Sequence, residues 1–347
     1  MAHGNVAHDN ITATYGGANL NEIFYEPVFR SDDIMRNYRV MPNVKHKMNV
    51  YTAAALTNIV QPYTDCSSTS TASEFNIDDK TITAGRCRVA LEQCSKEFFG
   101  TYIEEMYRSG VDVMNIEGTQ LGDAIVNRAV AGIASDVVRL AWGGDGATAN
   151  YDAFDGWMKL MGANATVLAA QVQQTGAATV DTVTAGNAIG LLRKAYDDAP
   201  AALQQVAMGD KKMFVSPKVF NAYLANLETN STIGTSDLAI VNTQKGYSGV
   251  SFRGVELVPV YEWDTILAAL NPAIFVDQSA AATGNTSNGV CYCAKDNLII
   301  GSDVTDPEGS FKVFYDDLEE KMFFRGYFKL GVQFLYSSLV QWGIVTT

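Results

Sequence analysis

The chain has 347 residues, of which 47% are hydrophobic and 18% charged, a composition that folds rather than staying disordered. With 25 Lys and Arg against 38 Asp and Glu, the net charge is −13, which argues against wrapping nucleic acid or docking on an anionic membrane, since both need clustered cations. Five Cys and 8 Pro exclude a disulfide scaffold and a proline-rich linker protein. No apolar run reaches the roughly 18 residues of a membrane-spanning helix. Residues 1–20 have neither the basic start nor the apolar stretch of a secretory signal, so we expect a reducing cytoplasm.

Residues 1–45 have apolar side chains scattered without period and are expected to form an extended arm. Phe24, Tyr25 and Phe29 make one local cluster in it, suited to docking on a neighbour. Residues 46–94 are expected to form a long hairpin with a Ser/Thr-rich tip, TDCSSTSTAS. In its return leg Cys87, Val89 and Leu91 alternate with Arg86, Arg88 and Glu92, as in a half-buried strand. A two-stranded ribbon alone is marginal in water, so a projecting hairpin needs another surface to rest on.

A short amphipathic helix is predicted over 95–109, and a long one over 116–142. In the second, Leu121, Ile125, Ala129, Ile133, Val137 and Leu140 form one apolar stripe, with Val126, Val130, Ala134 and Val138 beside it. Gly143-Gly-Asp-Gly146 stops it. Further on, 184–199 suits a helix, KKMFVS at 211–216 a short buried strand, and Ser216-Pro217 a helix start. At the end of the chain the residues from Phe328 to Ile344 alternate with a period of two, as in one very long strand or two collinear ones. Residues 310–317 are expected to pair with its start.

The search for chemistry gives little. The three His, at 3, 8 and 46, sit in or beside the arm, where nothing holds a general base. No Gly-Lys pair and no Gly-x-Ser-x-Gly elbow is present. Cys291 and Cys293 are one residue apart, too close for a zinc pair, and are expected to be reduced thiols on one strand face. The acidic groups at 303–308 and 316–320 do not have calcium-loop spacing. Neither an enzymatic activity nor a catalytic, metal or cofactor site is expected.

Arm, long hairpin, short helix, long helix, α/β subdomain and long terminal strand, in this order, resemble the major capsid protein of tailed bacteriophages. That shell fold is shared with encapsulins and the herpesvirus capsid floor. The resemblance rests on residues 81–110, the helix at 116–142, MFVSPKVFNAYLANL at 213–227, SFRGVELVPV at 251–260, and Phe311 to Trp342.

The resemblance implies an α+β fold with an arm at 1–45 and an extended loop at 46–94. A peripheral domain would comprise 95–164 and 300–340, with 116–142 as spine helix. An axial domain would comprise 165–299 and 341–347. It implies self-assembly into pentamers and hexamers of an icosahedral head around double-stranded DNA, located in the virion and assembled in the host cytoplasm. A separate scaffolding protein, a portal and a decoration protein are the implied partners, and packaged DNA is enclosed without sequence-specific contact. Phe24, Tyr25, Phe29, Tyr63, Asp65, Phe75, Lys80, Arg86 and Arg88 are the expected inter-subunit contacts. Some relatives cross-link subunits through a Lys on this loop; Lys80 is the residue here, with no partner Asn or acid matched to it. An encapsulin-like compartment around an enzyme cargo is the alternative reading, and a cytosolic hydrolase whose carboxylates meet only in the fold is the third. Loss of residues 60–84 is expected to leave a folded monomer unable to assemble.

Overall fold

The computed structural model describes residues 37–53, 77–94, 120–146, 148, 150–164, 183–229, 250–269, 288–303, 311–316 and 321–345. Among these, six helices and twelve strands form two five-stranded sheets and a separate two-stranded ribbon. Most of the expected arm, the tip of the extended loop and the helix predicted at 95–109 lie outside the described residues.

The first sheet is organised by its longest strand, β11 (Lys321–Phe334). One edge of β11 pairs with β4 (Gly85–Cys94) in a ladder from Lys321↔Cys94 to Leu330↔Gly85. Its other edge takes β10 (Phe311–Asp316) and then β9 (Leu298–Ser302), which is joined in parallel by β1 (Arg39–Met41). The pairing of β10 with the start of β11 is the one the sequence led us to expect. Phe324, Phe328, Leu330, Val332 and Phe334 all turn their side chains into the core, the consequence of a period of two with one face covered.

The predicted return leg of the hairpin is two strands with different partners. Only β3 (Ile77–Thr83) pairs with the outgoing strand β2 (Lys47–Ala53). Beyond the buried Ala84 the chain continues as β4 and crosses to β11. Gly85 sits at this crossing, where a Cβ would fall 1.9 Å from the Ala153 carbonyl oxygen, so only glycine fits. The ribbon β2–β3 also rests on its own subunit: Ile82, fully buried, packs with Val44 and Ile299. An isolated ribbon would lack that support. The deletion of 60–84 would therefore strip core residues along with the loop.

The second sheet has the order β12 (Val340–Val345), β8 (Asn288–Ala294), β5 (Lys211–Val215), β7 (Val255–Pro259), β6 (Ser251–Phe252). It is covered on both faces, which is why every residue of β5 is buried. On one face Met213, Val215, Val290 and Tyr292 meet α3 (Ala185–Asp197) and α5 (Pro217–Thr229). The turn between β6 and β7 has positive φ at both Arg253 (50°) and Gly254 (84°), the type I′ geometry that suits the twist of a tight hairpin. α4 (Ala201–Gln205) begins directly after Pro200, and α3 has already ended at Asp197.

On the opposite face lies the main core, which joins the two sheets. α1 (Gln120–Gly143) enters it with Val130, Ile133, Val137 and Ala141 buried and Ala129, Ala134 and Val138 packed beside them. Its 24 residues span about 36 Å at the helical rise. α2 (Trp157–Gly162) and α6 (Trp263–Ala269) close this core. All four tryptophans of the chain converge there. Trp142 lies 5.0 Å from Trp157, 4.8 Å from Trp263 and 6.4 Å from Trp342 between ring centroids. Tyr38 stacks on Phe214 at 5.4 Å and accepts a hydrogen bond from Trp142 Nε1 at 2.9 Å. Four elements distant in sequence each place one indole here, and together the rings close the seam between the sheets.

Gly143 ends α1, as expected of the Gly-rich stretch. The stop also has a buried ionic feature that spacing did not reveal. Asp145 accepts hydrogen bonds from Thr148 Oγ1 (2.6 Å) and Lys159 Nζ (2.9 Å), tying the loop to α2. A buried carboxylate needs such partners.

Candidate assembly surfaces

Of the nine expected contact residues, Phe24, Tyr25, Phe29, Tyr63, Asp65 and Phe75 lie outside the described residues. The other three fall on two distinct surfaces. Lys80 faces the body of its own chain, its Nζ donating to the Phe334 carbonyl at 3.1 Å and sitting 3.9 Å from the Phe334 ring centroid. Burial lowers its pKa. Gln333 Nε2 donates to the Thr81 carbonyl at 3.0 Å beside it. Lys80 therefore holds the hairpin root against the end of β11.

Arg86 and Arg88 are exposed on the outer face of the first sheet. The ladder sets Arg86 opposite Lys329 and Arg88 opposite Tyr327. Lys329 Nζ is engaged by the Lys45 carbonyl at 2.6 Å and by Asp303 at 3.6 Å. Like charges directly opposite on a sheet oppose folding, so this strip of cations stands out on a chain of net charge −13. Tyr327 is 57% exposed in its midst.

The hairpin carries the contrasting surface. Tyr51, 71% exposed, lies opposite Asp79, and Ile77, 56% exposed, lies at the ribbon's end. Asp79 accepts a hydrogen bond from Asn49 Nδ2 at 3.2 Å, and Asp78 is exposed beside it. Sequence reasoning did not single out Tyr51, Ile77 or Tyr327. A signal existed: Tyr327 is a large ring on the solvent parity of β11, and Tyr51 is out of phase with Met48 and Val50.

Three thiols face away from these surfaces, Cys87 on the inner face of β4 between Arg86 and Arg88. Cys87, Cys291 and Cys293 are buried and unbridged, and the last two share the face of β8 that meets the tryptophans. Burial raises the Cys87 pKa to about 12 and holds Cys291 well above the ordinary 9.0. A raised thiol pKa adds stability that is complete below 9.0 and is lost as pH climbs toward about 12, because the unfolded chain sheds the proton first. We expect Cys87, Cys291 and Cys293 to resist iodoacetamide at pH 8.5 in the folded protein and to label fully in denaturant. Mass spectrometry of the labelled peptides reads this directly, and labelling of Cys291 in the folded chain would contradict it.

No family model matches the chain, and no curated protein gives a significant match. Solved structures do. A chain of the satellite phage P4 procapsid, in a structure including the size determination (Sid) protein, superposes with a TM-score of 0.58 at 10% identity, over 93% of this chain and 90% of that one. A chain from the capsid of the native GTA particle superposes with a TM-score of 0.52 at 10% identity, over 91% and 90% of the two chains. The chain thus has the mixed α and β shell fold found in phage capsids, along nearly its whole length. At this identity the similarity lies in the backbone, and individual side-chain roles must be argued from the chain itself.

Proposed function

We propose that this chain is a major capsid protein that assembles into pentamers and hexamers of an icosahedral phage head enclosing double-stranded DNA. The observation that carries the reading is the superposition on the P4 procapsid chain over nine-tenths of both chains. The first sheet and α1 form the peripheral domain, the second sheet with α3 and α5 the axial domain, and the arm and hairpin grip adjacent subunits. A scaffolding protein, a portal and a decoration protein complete the head. The role is structural rather than enzymatic, and the particle is the virion shell.

The test follows from the root of the hairpin. Because Lys80, Thr81 and Ile82 belong to the body of the subunit, the deletion must spare β3. Replacing 56–74 by a short Gly-Ser linker is expected to leave circular dichroism and the melting curve close to wild type and to abolish particles in negative stain. Normal particles from that variant would remove the loop from the assembly mechanism. Imaging the contents of wild-type particles separates a genome shell from a cargo compartment.

A further inference from the structure

We propose that Lys212 and Asn37 of one chain join in an internal isopeptide bond, Nζ to Cγ, with Glu256 moving the proton. Three side chains meet inside the subunit. Lys212 lies on β5, the central strand of the second sheet, and is only 3% exposed; Asn37, two residues ahead of β1, is 8% exposed. Lys212 Nζ donates to Asn37 Oδ1 at 2.6 Å, across 175 residues of sequence. Glu256 stands opposite Lys212 in the parallel ladder of β5 and β7, with its Oε2 3.5 Å from the same Nζ. The surroundings are apolar. Phe214, two residues on and on the same side of β5, stacks at 5.4 Å on Tyr38, the neighbour of Asn37. Cys293, 1% exposed, flanks Lys212 on the β8 side.

A buried lysine needs a partner, and the Glu256 carboxylate would be sufficient as one. The ion pair does not account for an amide carbonyl held closer to Nζ than the carboxylate is. Given a C=O length of about 1.23 Å and an acceptor angle near 120°, Nζ stands roughly 3.4 Å from Asn37 Cγ. That is within the range of about 3–3.5 Å from which bound groups react. Lysine amines act as nucleophiles at carbonyl carbon once desolvated, and the near absence of solvent here removes water as a competing nucleophile.

The step balances without an oxidant or co-reactant. Glu256 takes a proton from the Lys212 ammonium, and the free amine attacks Asn37 Cγ. The Nζ–Cγ bond forms and the Cγ–Nδ2 bond breaks. Glu256 passes its proton to Nδ2, which leaves as ammonia and carries off the second proton released by Nζ as ammonium. The product is a neutral secondary amide with Glu256 ionised as before. It fastens the start of β1, a three-residue strand at the edge of the first sheet, to the centre of the second. The bond lies within one chain and uses neither Lys80 nor the extended loop, so it stands whether or not the chain builds a shell.

The test is the mass of the folded, full-length wild-type protein, measured after denaturation. It should be about 17 Da below the sequence mass, one ammonia lost. Trypsin should release a branched peptide joining residues 37–39 to 212–218, because a modified Lys212 no longer directs cleavage. Lys212→Met and Asn37→Ala should each restore the sequence mass. Glu256→Gln should slow formation by about a hundredfold or more during refolding, the contribution of a positioned acid–base group. The wild-type peptide map decides the matter even where a variant fails to fold. Wild-type protein at its sequence mass, with residues 37–39 and 212–218 never joined, would mean a buried ion pair only and overturn the proposal. So would a 17 Da loss confined to the peptide of Asn37 and cleaved by hydroxylamine, the mark of a cyclic imide. A Glu256→Gln chain that links as fast as wild type would overturn the role of Glu256.

Discussion

Replacing Trp142 by alanine is expected to remove about 3–5 kcal/mol of stability, the range for emptying a buried aromatic site that cannot collapse. Trp142 is fully buried at the C-terminal end of α1, among Tyr38, Trp157, Phe214, Trp263 and Trp342. These partners come from two strands of the second sheet, from α2 and α6, and from the residue just before β1 of the first sheet, so the void opens where those elements meet. Trp142→Phe should cost less, because it keeps most ring contacts and loses the hydrogen bond from Nε1 to the Tyr38 hydroxyl. Urea titrations of the two variants against wild type read both effects. A Trp142→Ala loss below that of Trp142→Phe would show that the seam is held elsewhere.

Asn297→Ala is expected to cost about 2–4 kcal/mol, since it removes three hydrogen bonds made by a buried side chain to part-buried backbone groups at once. Two short chain crossings link the sheets, β8 to β9 and β11 to β12, and Asn297 binds one to the other. Its Nδ2 donates to the carbonyls of Tyr336 (3.0 Å) and Leu339 (3.3 Å), and its Oδ1 accepts from the Tyr336 N–H at 2.8 Å. Its own carbonyl accepts from Leu335 N–H at 3.0 Å. Asn297→Asp is a sharper probe. The carboxylate could still accept from Tyr336 N–H but would face two carbonyl oxygens with no proton to offer. The folded state would then hold the proton of the introduced carboxyl more tightly than the unfolded chain does. By the same linkage, the Asn297→Asp variant should be more stable in mild acid than at neutral pH. Thermal melts at pH 5 and pH 8 check this, and a variant equally stable at both would contradict the geometry.

Much of this fold was legible because local chemistry specified it. The Ser216-Pro217 start, the buried run of β5, and the alternation through Phe328 to Phe334 each appear as written in the residues. The places where reading fell short share a cause: pairing over long sequence separations. Phe334 and Val340 have the same parity, so the turn at Ser337–Leu339, which sends β12 into the other sheet, leaves the alternation intact. The exchange of partner at Ala84 is hidden for the same reason, since β3 and β4 read as one strand and only the ladder to β11 distinguishes them. The convergence of the tryptophans gave no signal: Trp342 belongs to the terminal alternation, but each of the four is a single residue in a different element. Of the expected contact residues, Arg86 and Arg88 are exposed, while Lys80 is turned inward by its contacts with Phe334, which no residue near it in sequence announces.

The central claim is that this chain builds a shell. It is tested most directly by weighing the purified full-length protein by light scattering and imaging the same fraction in negative stain, across concentration and salt, alone and with a co-expressed scaffolding protein. Rings, tubes or closed particles built of a repeating capsomer are the predicted result. A homogeneous monomer under every one of these conditions would contradict the account.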